Sequence, residues 1–408
     1  MNASRTIVVV GAGQAGGWAA KTLRDEGFEG RIVLIGEEPY PPYERPPLSK
    51  EVLLGKEPAE SSYLWPEASF AEWQIELRTG TRVAAIDRAA GTVVLAGGET
   101  LGYDKLMLAT GGRVRTLPIQ GEGLAGVHYL RDIPDSAAIR ADIAEGTKLV
   151  VIGGGWIGLE VAAAGRMLGA DVVVIEALDQ LCGRALTPGF AARLCEIHRR
   201  HGTDVRLGTT VEALLGEDRV SGARLTDGTV LPATVVVIGI GLVPNVELAA
   251  EAGLKVDNGV VVDAFGRTSD PDIYAAGDVT NHPNDLLGRR VRLESWENAQ
   301  NQAIAAARAM LGGETPYAEI PWFWSDQYDV NIQLVGLPTD WDSTVLRGDP
   351  DESQLIEFYL RDGRIEGAAA LNNPRDIRFA RRLMQAAKVV DPAALADPEV
   401  KLQTLLRG

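Results

Sequence analysis

The sequence predicts an α/β protein with two Rossmann-like units and a smaller C-terminal α+β domain. Two stretches with the same glycine spacing carry this prediction, VVVGAGQAGGWAA at residues 8–20 and VVIGGGWIGLEVA at residues 150–162. Each lies between an apolar, β-branched run and a helical pattern, which is the order of a strand, a tight turn and a helix. From about residue 320 onward no such loop recurs, and strand-like runs and one helical pattern follow.

The first unit contains every part of a dinucleotide-binding βαβ unit in register. In order these are a strand pattern at residues 5–10, the glycines Gly11, Gly13 and Gly16, a helical stretch at residues 18–27, a strand pattern at residues 31–36, and Glu37. In such a turn the first glycine makes the bend, the second lets phosphates approach the backbone, and the third lets helix and strand touch. Glu37 follows Gly16 by 21 residues, where a carboxylate can accept hydrogen bonds from a ribose. The alternative is a plain tight turn.

The second unit repeats the same parts. They are a strand at residues 148–152, the glycines Gly153, Gly155 and Gly158, a helix at residues 159–168, a strand at residues 171–175, and Glu176. A carboxylate at Glu176 would repel a 2′-phosphate, which favours NADH over NADPH, although Arg184 is close enough in sequence to compensate. Two complete units predict either two dinucleotides or one dinucleotide used twice. Two nucleotides brought together indicate hydride transfer, with one as the resident redox group and the other as the diffusible donor.

Composition excludes several other classes of function. The net charge of −16 argues against general nucleic-acid binding, although two basic runs, residues 288–292 and 374–382, could form local patches. The two cysteines, Cys182 and Cys195, form no CxxC or CxxxxC pair, so we expect neither a metal site nor a local dithiol relay. No secretory signal and no apolar run of roughly 20 residues are present, so we expect a cytoplasmic protein without membrane attachment.

Five further motifs carry a family resemblance. They are YERPPLSK (residues 43–50), LATGG (108–112), YAAGDV (274–279), ESWENAQNQ (294–302) and PWFWSDQ (321–327). With the two glycine loops, they resemble the two-dinucleotide-binding-domain flavoproteins of the glutathione reductase structural class over nearly the whole chain. Within that class they are similar to the FAD-containing ferredoxin reductases of bacterial ring-hydroxylating oxygenase systems, such as putidaredoxin, rubredoxin and biphenyl-dioxygenase ferredoxin reductases.

One departure from the wider class is informative. Disulfide reductases of that class place CxxxxC beside the flavin, where this chain has RPPLSK without a cysteine. Electrons therefore cannot leave through a thiol pair. Peroxidase and oxidase relatives with a single flavin-side cysteine are excluded on the same ground.

The resemblance assigns FAD to the first glycine loop and NADH to the second. For FAD it implies Gly11, Gly13, Ala15, Gly16, Glu37, Arg45, Lys50, Val83, Ala109, Thr110, Gly111, Arg131, Gly277, Asp278, Ser295, Trp296 and Trp324. For NADH it implies Gly153, Gly155, Ile157, Gly158, Glu160, Glu176, Arg184 and Gly241. Asp278 follows a strand and can accept a hydrogen bond from a ribityl hydroxyl, whereas the alternative for Gly277 and Asp278 is an ordinary turn.

Lys50 and Glu160 are the predicted catalytic pair. The family places such a glutamate against the lysine beside flavin N5, where a cation would stabilise the reduced, anionic flavin and the carboxylate would hold that cation. We expect Glu160 on the first turn of its helix, and the alternative is a surface lysine plus an acid favoured by the helix dipole. Trp296 and Trp324 are predicted to form an aromatic wall along the flavin, and Trp322 is predicted to be core.

The resemblance also implies four segments. Residues 1–114 and 244–319 are the two parts of an FAD-binding domain, residues 115–243 are an NAD-binding domain, and residues 320–408 are a C-terminal α+β interface domain. In the last, LIEFYL and RIEGAAAL flank a turn at residues 361–363 and predict a hairpin, and residues 376–388 predict a helix.

The predicted activity is electron transfer from NADH through FAD to a [2Fe–2S] ferredoxin, or alternatively a rubredoxin, that supplies an oxygenase of aromatic hydrocarbon catabolism. The chain has no iron–sulfur ligand set, so the cluster belongs to the partner. Candidate docking arginines are Arg289, Arg290, Arg292, Arg378, Arg381 and Arg382, and the alternative is that they form a solvated face or intramolecular salt bridges. The alternatives are a redox-responsive binding protein similar to apoptosis-inducing factor, or an NADH oxidase, and the chain is expected to be a monomer or homodimer.

Overall fold

The computed structural model describes residues 5–349 and 354–406. Its contacts divide the chain into two units. Unit 1 consists of the residues up to Glu44, Glu60–Arg113 and Val243–Pro321, and unit 2 of Arg45–Ala59, Val114–Leu242 and the residues from Trp322 onward. The segment Arg45–Ala59 belongs to unit 2 although the sequence grouped it with residues 1–114, because Leu53 packs into the core of unit 2 and Ser136 Oγ donates to Leu48 O at 2.7 Å.

Both units contain strands and helices. In chain order the strands are β1 (Thr6–Val10), β2 (Arg31–Ile35), β3 (Ile75–Arg78), β4 (Val83–Asp87), β5 (Thr92–Leu95), β6 (Thr100–Gly102), β7 (Lys105–Leu108), β8 (Gly112–Val114), β9 (Val127–Tyr129), β10 (Lys148–Ile152), β11 (Asp171–Ile175), β12 (Asp204–Arg206), β13 (Val211–Gly216), β14 (Val220–Leu225), β15 (Val230–Pro232), β16 (Val235–Ile238), β17 (Leu242–Pro244), β18 (Val260–Val261), β19 (Ile273–Ala275), β20 (Thr280–Asn284), β21 (Arg289–Val291), β22 (Trp322–Gln327), β23 (Val330–Gly336), β24 (Ser343–Arg347), β25 (Leu355–Arg361) and β26 (Arg364–Leu371). The α-helices are α1 (Gln14–Asp25), α2 (Glu67–Glu72), α3 (Ile133–Asp142), α4 (Trp156–Met167), α5 (Pro188–Arg200), α6 (Glu247–Glu251), α7 (Trp296–Met310), α8 (Pro374–Gln385), α9 (Pro392–Ala396) and α10 (Leu402–Leu405), with 3₁₀ turns at Pro46–Ser49 and Ala59–Ser62.

Unit 1 is built on a five-stranded parallel sheet in the order β19-β7-β1-β2-β3. Its central strands are apolar on both faces, as a doubly covered parallel sheet requires. Ile7 and Val9 face the alanine-rich surfaces of α1 and α7, whereas Val8 and Val10 face the antiparallel strands β4, β5 and β6. Alternate residues of β1 therefore support two separate cores.

The first sheet of unit 2 is also five-stranded and parallel, in the order β12-β11-β10-β16-β9. Leu149 and Val151 face α4 and α5, and Val150 and Ile152 face the antiparallel strands β13, β14 and β15. Four strands have the same arrangement in both sheets, β7-β1-β2-β3 and β16-β10-β11-β12, and each sheet has helices on one face and antiparallel strands on the other. The edge strand differs, since it comes last along the chain in unit 1 (β19) and first in unit 2 (β9). This confirms the predicted pair of Rossmann-like units.

The C-terminal part of unit 2 is a five-stranded antiparallel sheet, β22-β23-β26-β25-β24, with α8 packed on it. The predicted hairpin is confirmed, since β25 pairs with β26 across Asp362 and Gly363, both of which have a positive φ. The predicted helix is also present, beginning at Pro374. Within the described residues, no helix combines the length and apolarity needed to cross a bilayer.

Candidate functional site

The first glycine turn is shaped so that only one of its three glycines faces open space. A Cβ atom on Gly11, whose φ is +105°, would lie 2.2 Å from Ala109 O, and one on Gly16 would lie 1.8 Å from Gly11 O. A Cβ atom on Gly13 would meet nothing within 4 Å. The first and third glycines are therefore needed by the fold, while the second leaves bare backbone that a pyrophosphate can approach. The turn fits a dinucleotide.

The second glycine turn reproduces this arrangement. A Cβ atom on Gly153 (φ +111°) would lie 2.3 Å from Gly239 O, and one on Gly158 would lie 2.1 Å from Gly153 O, whereas the space around Gly155 is open. The helix α4 begins directly after Gly155, so its N-terminal N–H groups point toward the loop. This turn fits a second dinucleotide on the same grounds.

Several FAD residues predicted in unit 1 directly follow its parallel strands, as Gly11 follows β1, Ala109 follows β7 and Gly277 lies just after β19. Gly277 follows β19, and a Cβ atom on it would lie 2.9 Å from Ala15 Cβ, so the turn that carries Asp278 lies against the start of α1. Gln14 Nε2 donates to Trp296 O at 2.9 Å. The predicted unit 1 residues are Gly11, Gly13, Ala15, Gly16, Glu37, Val83, Ala109, Thr110, Gly111, Gly277, Asp278, Ser295 and Trp296. Their contact with FAD stays a prediction.

Glu176 is tied to the second glycine turn. Its Oε2 accepts from Gly154 N at 2.6 Å and its Oε1 accepts from Leu178 N at 2.8 Å. Two large apolar side chains are exposed, Ile157 in the first turn of α4 at 43% and Leu178, two residues after Glu176, at 49%. Ile157 was predicted to contact NADH, and Leu178 was missed, although an apolar residue two positions after Glu176 was a usable signal. Exposed apolar groups beside a nucleotide loop suit the faces of a purine.

The remaining predicted NADH residues are exposed, and both cysteines are buried. Arg184 and Gly241 are exposed, and Gly241 has a φ of +105°. Burial raises the pKa of the Cys182 thiol and of the Cys195 thiol, which keeps both protonated and unreactive. In residues 5–349 and 354–406, no three His, Cys, Asp or Glu side chains come together in a metal-binding group.

Lys50 and Glu160 form a buried ion pair in unit 2. Lys50 Nζ lies 2.9 Å from Glu160 Oε2, with side-chain exposures of 9% and 2%. The alternative of a surface lysine and an unrelated acid is therefore wrong. The expectation that Glu160 lies on the first helical turn is also wrong, because α4 begins at Trp156 and Glu160 is its fifth residue, in the second turn. The pair is held by tertiary packing and not by the helix terminus.

Two serines that the sequence reasoning missed complete the surroundings of Glu160. Ser49 Oγ donates to Oε2, and Ser325 Oγ donates to Oε1 at 2.6 Å. A buried carboxylate needs such donors, because removing it from water without partners costs several kcal/mol. Both serines lie inside motifs quoted above, RPPLSK and PWFWSDQ, but no local pattern connects either to Glu160. Together they can hold an ionised carboxylate, and so a cation, in a dry interior.

The other FAD residues predicted in unit 2 are Arg45, Arg131 and Trp324. Arg45 Nη1 donates to Arg131 O, and Arg131 N donates to Asp135 Oδ2 at 2.8 Å. The Trp322 and Trp324 rings stack with centroids 5.1 Å apart and planes 17° apart. Trp322 is half-buried, so its assignment to the core is wrong. An indole pair of this kind offers one continuous aromatic face.

The arginines of the two basic runs make different contacts within the protein. Arg290 donates to Asn281 Oδ1 at 3.0 Å and to Val262 O at 2.8 Å, and Arg292 pairs with Glu294. Two arginines of the run at residues 288–292 therefore already make hydrogen bonds or an ion pair with neighbouring groups of unit 1. Arg378 and Arg382 are exposed on α8, where Arg378 Nε donates to Pro374 O at 3.1 Å and Arg382 lies over the Phe379 ring.

Comparison with known proteins extends the similarity over the whole chain. A family model described as pyridine nucleotide-disulphide oxidoreductase matches residues 5–303, and one described as reductase C-terminal matches residues 322–406. The chain is 47% identical to the anthranilate 1,2-dioxygenase system ferredoxin–NAD(+) reductase component of Burkholderia cepacia, over 98% of this chain and 99% of that one. It is 43% identical to rhodocoxin reductase of Rhodococcus erythropolis, over 98% and 93%. Among solved structures, a chain of the covalent putidaredoxin reductase–putidaredoxin complex matches with a TM-score of 0.96 and 39% identity, covering 100% of this chain and 99% of that chain.

Proposed function

The chain belongs to the pyridine nucleotide-disulphide oxidoreductase family, and from that premise we propose that it carries electrons from NADH through FAD to a small [2Fe–2S] ferredoxin. The resemblance inferred from the motifs is confirmed by relatives of the same kind, which are named as ferredoxin or rhodocoxin reductases. The ferredoxin in turn supplies an oxygenase. A cytoplasmic location, where NADH is available, is part of the proposal.

The repeated glycine turn is the observation that carries this function. Both turns leave only their second glycine open, at Gly13 and at Gly155, so each offers its own phosphate site. A bound FAD would supply the conversion between a two-electron hydride donor and a one-electron acceptor, which is what a ferredoxin needs. NADH is the diffusible donor, and Glu176 keeps a negative charge where NADPH would carry its 2′-phosphate.

The residues of this chain would bind and orient the two nucleotides, and Glu160 would hold the positive charge of Lys50 in place. In unit 1, the turn at Gly13 would take the FAD pyrophosphate, and Asp278 would accept from the ribityl chain. Lys50, which the family resemblance assigns to the flavin, is fixed by Glu160 at 2.9 Å. A preorganised cation stabilises negative charge that develops during reduction without reorganising at that moment. We assign Lys50 and Glu160 the catalytic role on this basis.

The deciding experiment is NADH oxidation by the purified holoenzyme, with cytochrome c as terminal acceptor, with and without added [2Fe–2S] ferredoxin. We expect cytochrome c reduction to rise saturably with ferredoxin, because the protein itself presents no iron–sulfur ligands. If NADH bleaches the flavin but several ferredoxins and rubredoxins leave the rate unchanged, electron supply is the wrong function.

The division of labour between the turns predicts separate effects of two matched substitutions. Gly13→Ala and Gly155→Ala both place a methyl group in open space at an ordinary φ, −86° and −83°, so the free energy of unfolding of the apoprotein should stay within about 0.5 kcal/mol. Gly13→Ala should weaken FAD binding, and Gly155→Ala should raise KM for NADH, each by about 10- to 100-fold, because overpacking a contact costs on the order of 1–3 kcal/mol.

The measurements are the FAD content after dialysis and the steady-state KM for NADH. Gly155→Ala should retain its FAD, which makes it the control for Gly13→Ala. Loss of FAD from both variants to the same extent would show that the second turn does not bind a nucleotide of its own.

A docking surface on α8 predicts a selective effect on the ferredoxin step. Replacing Arg378 and Arg382 with Ala should raise the apparent KM for ferredoxin about threefold or more at low salt, since rim charges steer association, and leave NADH-driven flavin reduction unchanged. Arg381 is half-buried and is kept. The matched control is Arg200→Ala, an exposed arginine of α5 paired only with Glu196 in the salt bridges of the described residues. An unchanged KM at low salt would reject α8 as the docking surface.

A further inference from the structure

A chain of buried side chains leads away from Glu160. Ser325 and Gln327 lie on β22 and His198 lies on α5, and all three are buried. Ser325 Oγ lies 2.6 Å from Glu160 Oε1, Gln327 Nε2 lies 3.0 Å from Ser325 Oγ, and His198 Nε2 lies 2.8 Å from Gln327 Oε1. Three polar side chains on two different elements are thus joined to one carboxylate. The ion pair with Lys50 alone does not require them.

The direction of the first two hydrogen bonds follows from the carboxylate. An ionised carboxylate only accepts, so Ser325 must donate its single hydroxyl proton to Glu160 Oε1. Ser325 Oγ then has only lone pairs to offer Gln327. Gln327 must therefore present its amide N–H to Ser325, and its carbonyl oxygen is turned toward His198.

The same logic fixes the rest of the chain. Because Gln327 Oε1 accepts, His198 must carry its proton on Nε2. Burial lowers the pKa of His198 to about 4, so the ring is neutral near pH 7 and its Nδ1 accepts. Tyr328 OH lies 3.2 Å from that Nδ1 and donates to it, and Thr203 Oγ1, at 3.1 Å, donates to Tyr328. Every donor in the chain points toward Glu160.

This arrangement is unsuited to moving protons. Gln327 lies in the middle, and passing a proton through it would require its N–H and C=O groups to exchange roles. What the chain provides is a row of dipoles with their positive ends toward the carboxylate. In a buried, low-dielectric environment, hydrogen bonds in such a row polarise one another and strengthen the last of them.

We propose that Ser325, Gln327 and His198 are positioning residues that set how strongly Glu160 compensates the charge of Lys50, and thereby tune the reduction potential of FAD. The inference rests on the proposed binding of FAD beside Lys50. With the row of hydrogen bonds intact, Ser325 draws negative charge from the carboxylate, so more of the positive charge of Lys50 acts on the flavin. When this row is interrupted, Glu160 neutralises Lys50 more fully and the reduced flavin is less stabilised.

Gln327→Leu tests this directly, because it removes both the N–H donor and the C=O acceptor of the side-chain amide while keeping a side chain of similar size. In a spectroelectrochemical titration of the holoenzyme, the ratio of reduced to oxidised FAD at one applied potential should fall about tenfold, as expected for the loss of one hydrogen bond to a charged network. For a two-electron couple this corresponds to a midpoint about 30 mV lower. The infrared carboxylate band of Glu160, assigned by difference from Glu160→Gln, should shift in the same variant.

A second pair of variants separates tuning from damage to the fold. His198→Phe should lower the potential as Gln327→Leu does, and His198→Gln, which retains an N–H donor, should restore most of it. Thr187→Val is the matched control, because Thr187 caps the same helix through Phe190 N but is not in the chain. It should reduce stability without moving the potential.

The outcomes are distinguishable from failure of the proposed function. A potential unchanged in both Gln327→Leu and His198→Phe overturns the inference, and so does an equal shift in Thr187→Val. Neither measurement uses ferredoxin or NADH. A protein that shows the predicted shifts but reduces no ferredoxin would retain this inference and lose the proposed electron acceptor.

Discussion

Replacing Lys50 with Met is expected to slow NADH-driven reduction of FAD by about 10²- to 10³-fold, the usual effect of removing one preorganised group that stabilises developing charge. Met keeps the length of the lysine side chain and removes only its charge and its donors. The same change leaves Glu160 buried with two hydroxyl donors and no cation. We therefore also expect the free energy of unfolding to fall by about 3–5 kcal/mol, as when one partner of a buried pair is removed.

The double variant Lys50→Met/Glu160→Leu separates these two effects. It removes the uncompensated charge, so most of the lost stability should return, whereas the slow flavin reduction should remain. Stopped-flow absorbance of the flavin band gives the rate, and urea unfolding gives the stability. If the rate recovers together with the stability, Lys50 is a structural residue and its assignment as catalytic is wrong.

Much of the fold was predictable because its signals are local. A buried parallel strand needs only a short apolar run, and β10 and β11 have the predicted bounds, residues 148–152 and 171–175. The glycine turn likewise depends on spacing within one loop. The error about Glu160 has a related cause, since the helix of such a unit begins inside the glycine motif, at Trp156, and not after Gly158.

The surroundings of Glu160 were not predictable because they join residues far apart in the chain. Ser325 and Glu160 are 165 residues apart, and His198 and Gln327 are 129 residues apart. Serine, glutamine and histidine are each ordinary on a strand or a helix. Only the tertiary structure shows that each supplies the donor that the next group needs. The placement of Arg45–Ala59 in unit 2 was equally hidden, because its apolar residues look alike for either core.

Arg347→Met is expected to destabilise the C-terminal part of unit 2 by about 3–5 kcal/mol, because it removes a buried cation from several acceptors at once. Arg347 lies at the end of β24 and is 8% exposed. It donates to Asp376 Oδ2 at 3.0 Å and to four carbonyl oxygens, those of Leu395, Asp397, Pro398 and Val400. A single guanidinium thus links the segment around α9 to α8 through hydrogen bonds.

The exposed pair of Arg361 with Asp340 provides the matched control in the same sheet. Arg361 Nη2 lies 3.2 Å from Asp340 Oδ2, but its side chain is 54% exposed, so Arg361→Met should cost no more than about 1 kcal/mol. Hydrogen exchange should show lost protection in residues 391–406 for Arg347→Met only. Equal effects of the two substitutions would mean that the carbonyls released by Arg347 are satisfied by water. The segment would then be held by apolar contacts such as that of the fully buried Leu395, because only a dry site makes an unpaired carbonyl costly.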